Sequence, residues 1–172
     1  MNTNRTIARA LGDRRGFTLV EVLVASMILV VALLTLASMF PVGYKQIADG
    51  GRMTMAVTGA RHILEDVGDV PFNNISNLNG VDTATNAGVI AGLTGTEAAI
   101  ARRWRYMLAG PGNGFTFTSA ETAAWGTPQT YAGRAVVTVA NTSATLRTVT
   151  VVVTVPGLPG NVTLSTVIVR MF

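Results

Sequence analysis

Cysteine is absent from this chain of 172 residues, and histidine occurs once, at His62. The lack of cysteine excludes disulfides, thiolate nucleophiles and cysteine-ligated zinc or iron–sulfur sites. A single histidine also removes most histidine-based metal and catalytic sites. We therefore predict that the protein uses no metal or cofactor and is not an enzyme. An exported domain of this length can be held together by its hydrophobic core alone.

Charged residues are also scarce, at 13% of the chain, whereas apolar residues make up 49%. This composition is unusual for a soluble domain and suggests a membrane segment. Most of the formal net charge of +4 lies in residues 1–16, which contain Arg5, Arg9, Asp13, Arg14 and Arg15. The rest of the chain has nine basic and eight acidic groups. Such a nearly neutral body offers little to a nucleic acid.

A long apolar run occupies residues 17–40 and contains one charge, Glu21. As a helix it would be about 36 Å long, enough to cross a hydrocarbon core of about 30 Å. The preceding arginines place the N-terminus in the cytoplasm and the remaining chain outside. A carboxylate within a membrane helix costs about 3 kcal/mol on insertion scales, so its presence suggests a function for Glu21.

An amphipathic helical stretch is predicted over residues 52–69, after the apolar run is broken at Pro41–Gly43 and after a weak point at Gly50–Gly51. Its apolar positions recur at spacings of three and four: Met53, Val57, Ala60, Leu64 and Val67. Residues 72–100 are rich in Asn, Gly, Thr and Ala and are predicted to form a loop.

A sheet is predicted over residues 101–172, with a first strand at Arg103–Met107 and three valine-rich and threonine-rich strands at 135–140, 146–155 and 162–171. In the middle run Val149, Val151, Val153 and Val155 share one face. The order of elements predicts an α+β fold with one long N-terminal helix. Its first half lies in the bilayer, and its second half packs on a three-stranded or four-stranded antiparallel sheet.

The most specific segment is Arg14-Arg15-Gly16-Phe17-Thr18-Leu19-Val20-Glu21, followed at once by the apolar run. It resembles the N-terminal signal of type IV prepilins and pseudopilins. The resemblance implies a leader at 1–16, a transmembrane and assembly helix at 17–40, and a pilin-fold body at 41–172. It also implies that a prepilin peptidase cuts between Gly16 and Phe17 and methylates the new amine. Glu21 would meet the amine of a neighbouring subunit.

The family resemblance also implies partners and a location. The partners are the prepilin peptidase, other pilin or pseudopilin subunits, the inner membrane and its assembly platform. The precursor would lie in a bacterial inner membrane, and the mature chain in a pilus or pseudopilus. Residues 60–67 and 71–74 are similar to minor pilins of the PilV and GspI type. The lack of a C-terminal cysteine pair, and of a proline before Pro41, favours a minor subunit.

Several alternatives remain open at this level. The apolar run could be an ordinary secretory signal cut between Ala37 and Ser38. The chain could be a minor pseudopilin of a type II secretion system, or a secreted or membrane-tethered β-rich binding domain.

Four further sets of residues are given ordinary interpretations. Residues 102–106 combine arginines with aromatic residues and could bind nucleic acid, although a strand with Trp104 inward and solvated arginines is favoured. His62 is interpreted as a helix-surface residue. The hydroxyls of Ser26, Thr35 and Ser38 are expected to bond to their own helix. The acids Asp82, Glu97 and Glu121 are interpreted as isolated, without a calcium site.

Overall fold

The computed structural model describes residues 16–84, 87–112, 115–127 and 133–170. A helix, α1, runs from Leu19 to Gly68, and a small antiparallel sheet follows later in the chain. The predicted α+β, pilin-like architecture is therefore confirmed. The chain divides into two compact units, one up to Gln46 and one from Ile47 onward.

The first unit consists of the N-terminal part of α1, whose apolar side chains are exposed on every side of the helix. This helix is long and apolar enough to cross a membrane, and its most apolar stretch is not buried in the protein. Three hydroxyls donate to carbonyl oxygens of the preceding turn, as predicted: Ser26 to Leu23, Thr35 to Val31 and Ser38 to Thr35. These three hydroxyls therefore have an acceptor within the helix and need none from the lipid.

Helix α1 continues through Pro41–Gly43, where the apolar run ends, and through the predicted weak point at Gly50–Gly51, so the single long helix predicted from the sequence is confirmed. Proline removes one hydrogen bond and costs about 3 kcal/mol in a helix interior, and each glycine costs about 1 kcal/mol. Helix-favouring sequence on both sides offsets these local costs. Propensity at single positions is a weaker determinant than the pattern over many turns.

The second unit contains more helix than the sequence indicates. A 3-10 turn at Ile75–Leu78 and helix α2 at Ala87–Gly92 occupy the segment predicted to be a loop. Helix α3, Gly95–Leu108, replaces both the end of that loop and the predicted strand Arg103–Met107. A short helix, α4, follows at Ser119–Trp125.

The strand prediction failed at α3 because the alternation of residues 103–107 is too short to decide the period. Over the whole segment Ala101, Trp104 and Leu108 recur at helical spacing, and all three are buried. Alanine, glutamate and arginine upstream also favour helix. Trp104 does point inward, as predicted, but from a helix.

The sheet has the order β1-β2-β3, with β1 at Arg134–Asn141, β2 at Leu146–Thr154 and β3 at Val162–Val169. Both pairings are antiparallel, and Val151 of β2 lies between Val137 and Leu164. The three strands predicted after residue 133 are therefore confirmed. Val149, Val151, Val153 and Val155 are all buried, as the period-two pattern predicts.

One hydrophobic core joins the sheet to the C-terminal part of α1. The buried residues of α1 are Ala56, Ala60, Ile63 and Val67. This stripe is rotated from the predicted one: Val57 and Leu64 lie at its margin, and Met53 is 48% exposed. Two of the four buried positions are alanines, whose small side chains fill little of the core, a feature that apolarity alone does not reveal.

Candidate functional site

The N-terminal segment places the predicted scissile bond in accessible backbone. Gly16 and Phe17 are exposed and non-helical, and Phe17 is 85% exposed. A Cβ added at Gly16 would meet no other atom within 4 Å, and the backbone there does not have the positive φ that favours glycine. The fold of this chain therefore does not itself require glycine at position 16. The leader arginines, Arg14 and Arg15 among them, lie outside the described residues.

Thr18 and Glu21 form a reciprocal cap at the start of α1. The backbone N–H and the hydroxyl of Thr18 both donate to Glu21 Oε2, each at 3.1 Å. The Glu21 N–H donates to Thr18 Oγ1 at 3.2 Å. This capping box satisfies two backbone donors that a helix N-terminus would otherwise leave unpaired. It fixes where the helix begins, two residues after the Gly16–Phe17 bond.

The cap gives Glu21 a role that our sequence reasoning missed, although the Thr18-x-x-Glu21 spacing is itself the signature of such a cap. A negative charge is also favoured at a helix N-terminus by the helix dipole. The cap occupies one carboxylate oxygen, Oε2, whereas Oε1 has no hydrogen bond to the described residues. Glu21 can therefore cap its own helix and still accept a bond from another chain.

The arginines around Trp104 are not solvated as predicted, because each binds a group of its own chain. Arg102 pairs with Glu121 at 2.6 Å, and Arg103 pairs with Asp66 at 2.6 Å. Asp66 also accepts a hydrogen bond of 2.8 Å from Trp104 Nε1. A phosphate would have to displace these internal carboxylates, so this segment is a poor candidate for a nucleic-acid interface.

Arg105 is 2% exposed, and among the described residues it donates to the backbone oxygens of Thr83, Ala84 and Gly112. Its guanidinium also lies 4.5 Å from the ring centre of Phe115. Burial lowers the pKa of Arg105, and the charge of Asp82 partly opposes this shift. Arg105 therefore holds the segments around residues 83 and 112 against α3.

Two of the three acids interpreted as isolated are in ion pairs. Asp82 accepts bidentate hydrogen bonds from Arg134, and Glu121 accepts bidentate hydrogen bonds from Arg102. Glu121 also forms a capping box with Thr118 at the start of α4. The Arg102 hydrogen bonds lower the pKa of Glu121 to about 2, with smaller contributions from Thr118. Glu97 is buried at the start of α3. The structure therefore assigns Asp82 and Glu121 to internal ion pairs.

His62 lies on the exposed side of α1, as predicted, with Nδ1 3.8 Å from a Glu65 carboxylate oxygen. This is a contact between two exposed side chains on consecutive turns, of the kind that contributes tenths of a kcal/mol.

Comparison with known proteins gives one match, to the family model described as the prokaryotic N-terminal methylation motif, over residues 12–37. No curated protein and no solved structure matches the chain. The matched range includes the Gly16–Phe17 bond, the Thr18–Glu21 cap and the apolar helix up to Ala37. Together with the long apolar helix, the motif fits a membrane-anchored precursor. It indicates an N-terminal signal like that of prepilin peptidase substrates of the type IV pilin or pseudopilin kind.

Proposed function

We propose that this protein is a structural subunit of a type IV pilus-like filament and has no catalytic activity of its own. In this proposal a prepilin peptidase cuts between Gly16 and Phe17 and methylates the amine of Phe17. The observation that carries the proposal is the methylation motif, with its bond exposed just before a capped apolar helix. The PilV and GspI type of minor subunit remains a prediction from residues 60–67 and 71–74.

The exposed helix surface supports assembly through the N-terminal part of α1. Apolar side chains cover this part of the helix on all sides, and nothing in the described chain buries them. Before assembly the lipid would keep these apolar side chains away from water. After assembly the same helix of other subunits would cover them. Glu21 would then accept a bond from the amine of a neighbouring Phe17 through its unoccupied oxygen.

The first experiment is mass spectrometry of the mature N-terminus, isolated from membranes of a host that has a prepilin peptidase. We expect a chain that begins at methylated Phe17. A chain that begins at Ser38 would show secretory-signal cleavage instead, and an uncut Met1 would contradict processing altogether.

The second experiment replaces Gly16 with leucine. Because a Cβ at this position would meet no other atom within 4 Å and the position is exposed, the variant should fold and insert normally. We expect full-length precursor to accumulate, since the protease must approach the backbone closely at this residue. Gly16→Ala is the matched control with a smaller side chain. Normal cleavage of Gly16→Leu would contradict the assignment of the bond.

A further inference from the structure

Glu97 departs from a pattern that the chain repeats. The spacing Thr-x-x-Glu occurs at the start of three helices, over residues 18–21, 94–97 and 118–121. In the first and third the glutamate returns to cap its own helix. At the start of α3 the cap is not formed. Gly95 has a φ of 63°, opposite in sign to that of a helical residue, so the Glu97 carboxylate does not reach Thr94.

The Glu97 carboxylate is instead buried without a partner. The residue is 5% exposed, and its Oε1 has no hydrogen bond to the described residues. A buried charge that lacks a counter-charge is costly, so this side chain is suited to a cation from outside the chain. It lies in a pocket with apolar walls at Val89 and Leu93 and with polar groups at Asn77 and Thr94.

The chemistry of this pocket fits an arginine side chain better than a metal ion. A divalent cation needs several oxygen ligands, and the described residues include no group of three or more acidic or histidine side chains placed to hold one. An arginine would lay its apolar stem against Val89 and Leu93 and its charged head against Glu97. The guanidinium has enough donors to bond the side-chain oxygens of Asn77 and Thr94 as well.

The two edges of the sheet differ in whether their outward backbone groups are paired. Three outward N–H groups of β1 have acceptors within the segment 79–83, each at 2.9 Å: those of Ala135, Val137 and Val139. On β3 the Arg170 N–H donates to the Thr145 carbonyl, which fixes the even-numbered residues as those bonded to β2. The outward groups of β3 have no backbone partner among the described residues: those of Thr163, Ser165, Val167 and Val169. The β1 edge is therefore covered and the β3 edge is open.

Glu97 and Arg170 lie at the same end of this unit, beside opposite edges of the sheet. Strands β1 and β3 both run antiparallel to β2, so their last residues lie at one end of the sheet. Arg170 follows β3 there, at the open edge. At the covered edge Asn79 accepts a hydrogen bond from Val139, near the end of β1, and Asn77 lines the Glu97 pocket.

We propose that Arg170 of one copy enters the Glu97 pocket of a neighbouring copy, so that the open β3 side of each subunit meets the covered β1 side of the next. The pairing rests on the proposed filament for one point, that all subunits have the same direction in one membrane. A contact between two different sides of the molecule keeps that direction and repeats from copy to copy, as a helical assembly requires. Val169, which is 56% exposed beside Arg170, is covered in the same contact.

Charge and position favour Arg170 as the occupant. It is exposed and forms no ion pair with the described residues. Three arginines of α3 and β1, by contrast, bind acids of their own chain. Arg61 is also exposed, but it lies on α1 two turns before that helix ends, and Lys45 belongs to the first unit.

The first test uses the absence of cysteine, which makes introduced thiols unambiguous. Thr94 and Val169 are exposed residues beside the two partners. In membranes of a host that has a prepilin peptidase, a chain with Thr94→Cys and Val169→Cys should give a ladder of dimers, trimers and longer products with a short bismaleimide. The two single substitutions expressed together should stop at the dimer. Thr94→Cys with Thr154→Cys, an exposed threonine at the other end of the sheet, is the matched control and should give no ladder.

The second test removes the charges from the cross-linkable chain. We expect Glu97→Gln and Arg170→Gln each to lower the ladder yield at least about tenfold. The two together should lower it no further, because both act on one contact. Arg61→Gln is the control and should leave the yield unchanged. Glu97→Gln should not lower the unfolding temperature of the monomer in detergent, since the monomer loses no internal bond, whereas a structural role within the chain predicts a decrease.

The proposal is overturned by a ladder that is absent, that is equal in the control pair, or that persists with Arg170→Gln. Cross-links from residue 94 only to a chain of different mass would assign the pocket to another protein. The N-terminus of the same samples is read by mass spectrometry. A chain cut before Phe17 without a ladder refutes the pairing and leaves the proposed function standing, whereas a ladder of uncut chains does the reverse. Should Glu97→Gln fail to fold, Arg170→Gln at its exposed position decides.

Discussion

At the scale of single residues, the observed cap and the proposed assembly role of Glu21 can be separated. Its Oε2 accepts bonds from Thr18 within the chain, and we propose that its Oε1 accepts a bond from an amine of another subunit. Capping requires only an acceptor oxygen, whereas neutralising an ammonium group in an apolar environment requires a negative charge. Glutamine at position 21 keeps an oxygen that can accept the cap hydrogen bonds, whereas valine has no acceptor and loses the cap.

We predict that Glu21→Gln and Glu21→Val both insert and are cleaved normally, because Glu21→Val removes an insertion penalty of about 3 kcal/mol and Glu21→Gln replaces the charge by a neutral amide. Filament incorporation should fall sharply in both, since a neighbour's ammonium group would remain unpaired. Thr18→Val is the control, because it weakens the cap but retains the charge. The measurement is subunit content of sheared filaments at matched membrane levels. Wild-type incorporation of Glu21→Gln would show that the cap is the only role.

Asp66 offers a second residue-scale prediction, on stability. It accepts bonds from Arg103 and from the buried Trp104 Nε1. Asp66→Ala should lower the free energy of unfolding by about 2–3 kcal/mol, because both donors lose their acceptor. The exposed neighbour provides the control: Glu65→Ala should change stability by no more than about 0.5 kcal/mol. Chemical denaturation of the two variants measures the difference, and equal stabilities would contradict the assignment.

At the scale of elements, α4 is attached to α3 by the Arg102–Glu121 pair and by contacts among Tyr106, Phe117 and Trp125. The pKa of Glu121 falls from its usual 4.5 to about 2 in the folded protein. The stabilisation from this shift is therefore complete above about pH 4.5 and is lost as the pH falls through 2.

We predict that Glu121→Gln destabilises the protein by about 1–2 kcal/mol at pH 7, given partial solvent exposure of the pair. The difference from wild type should shrink below pH 4.5 and vanish below pH 2, as the wild-type carboxylate becomes protonated. Unfolding temperatures measured across this range test the prediction. A difference that does not change with pH would mean that the charge of Glu121 contributes nothing.

At the scale of the whole molecule, the region from Ile47 onward is a compact unit with its own core. We predict that a fragment of residues 47–172 folds without the apolar helix and unfolds cooperatively. A fragment of residues 70–172 should fail to fold, because it lacks Ala56, Ala60, Ile63 and Val67, which fill one side of that core. Circular dichroism and thermal unfolding compare the two. Equal folding would show that the sheet needs no helix.

The sequence predicted the parts of the molecule that repeat a simple period over many residues. The apolar run and the valine strands are long, so their patterns are unambiguous. Helix α3 was missed because its inward positions include Arg105, a charge that pattern analysis places in solvent. Only the fold brings Arg105 within reach of the Thr83 and Gly112 carbonyls, contacts that the local pattern does not reveal. The cleavage motif could be predicted from contiguous residues, whereas predicting the ion pairs would require the tertiary structure.

The unequal edges of the sheet have a consequence for amide exchange with deuterated water. The outward N–H groups of Ala135, Val137 and Val139 all have acceptors, so they exchange only when the segment 79–83 detaches or the sheet opens. Those of Thr163, Ser165, Val167 and Val169 have no acceptor among the described residues of one isolated chain and should exchange within the fastest class. Within one sheet the outward amides of β1 should therefore exchange slowly and those of β3 rapidly.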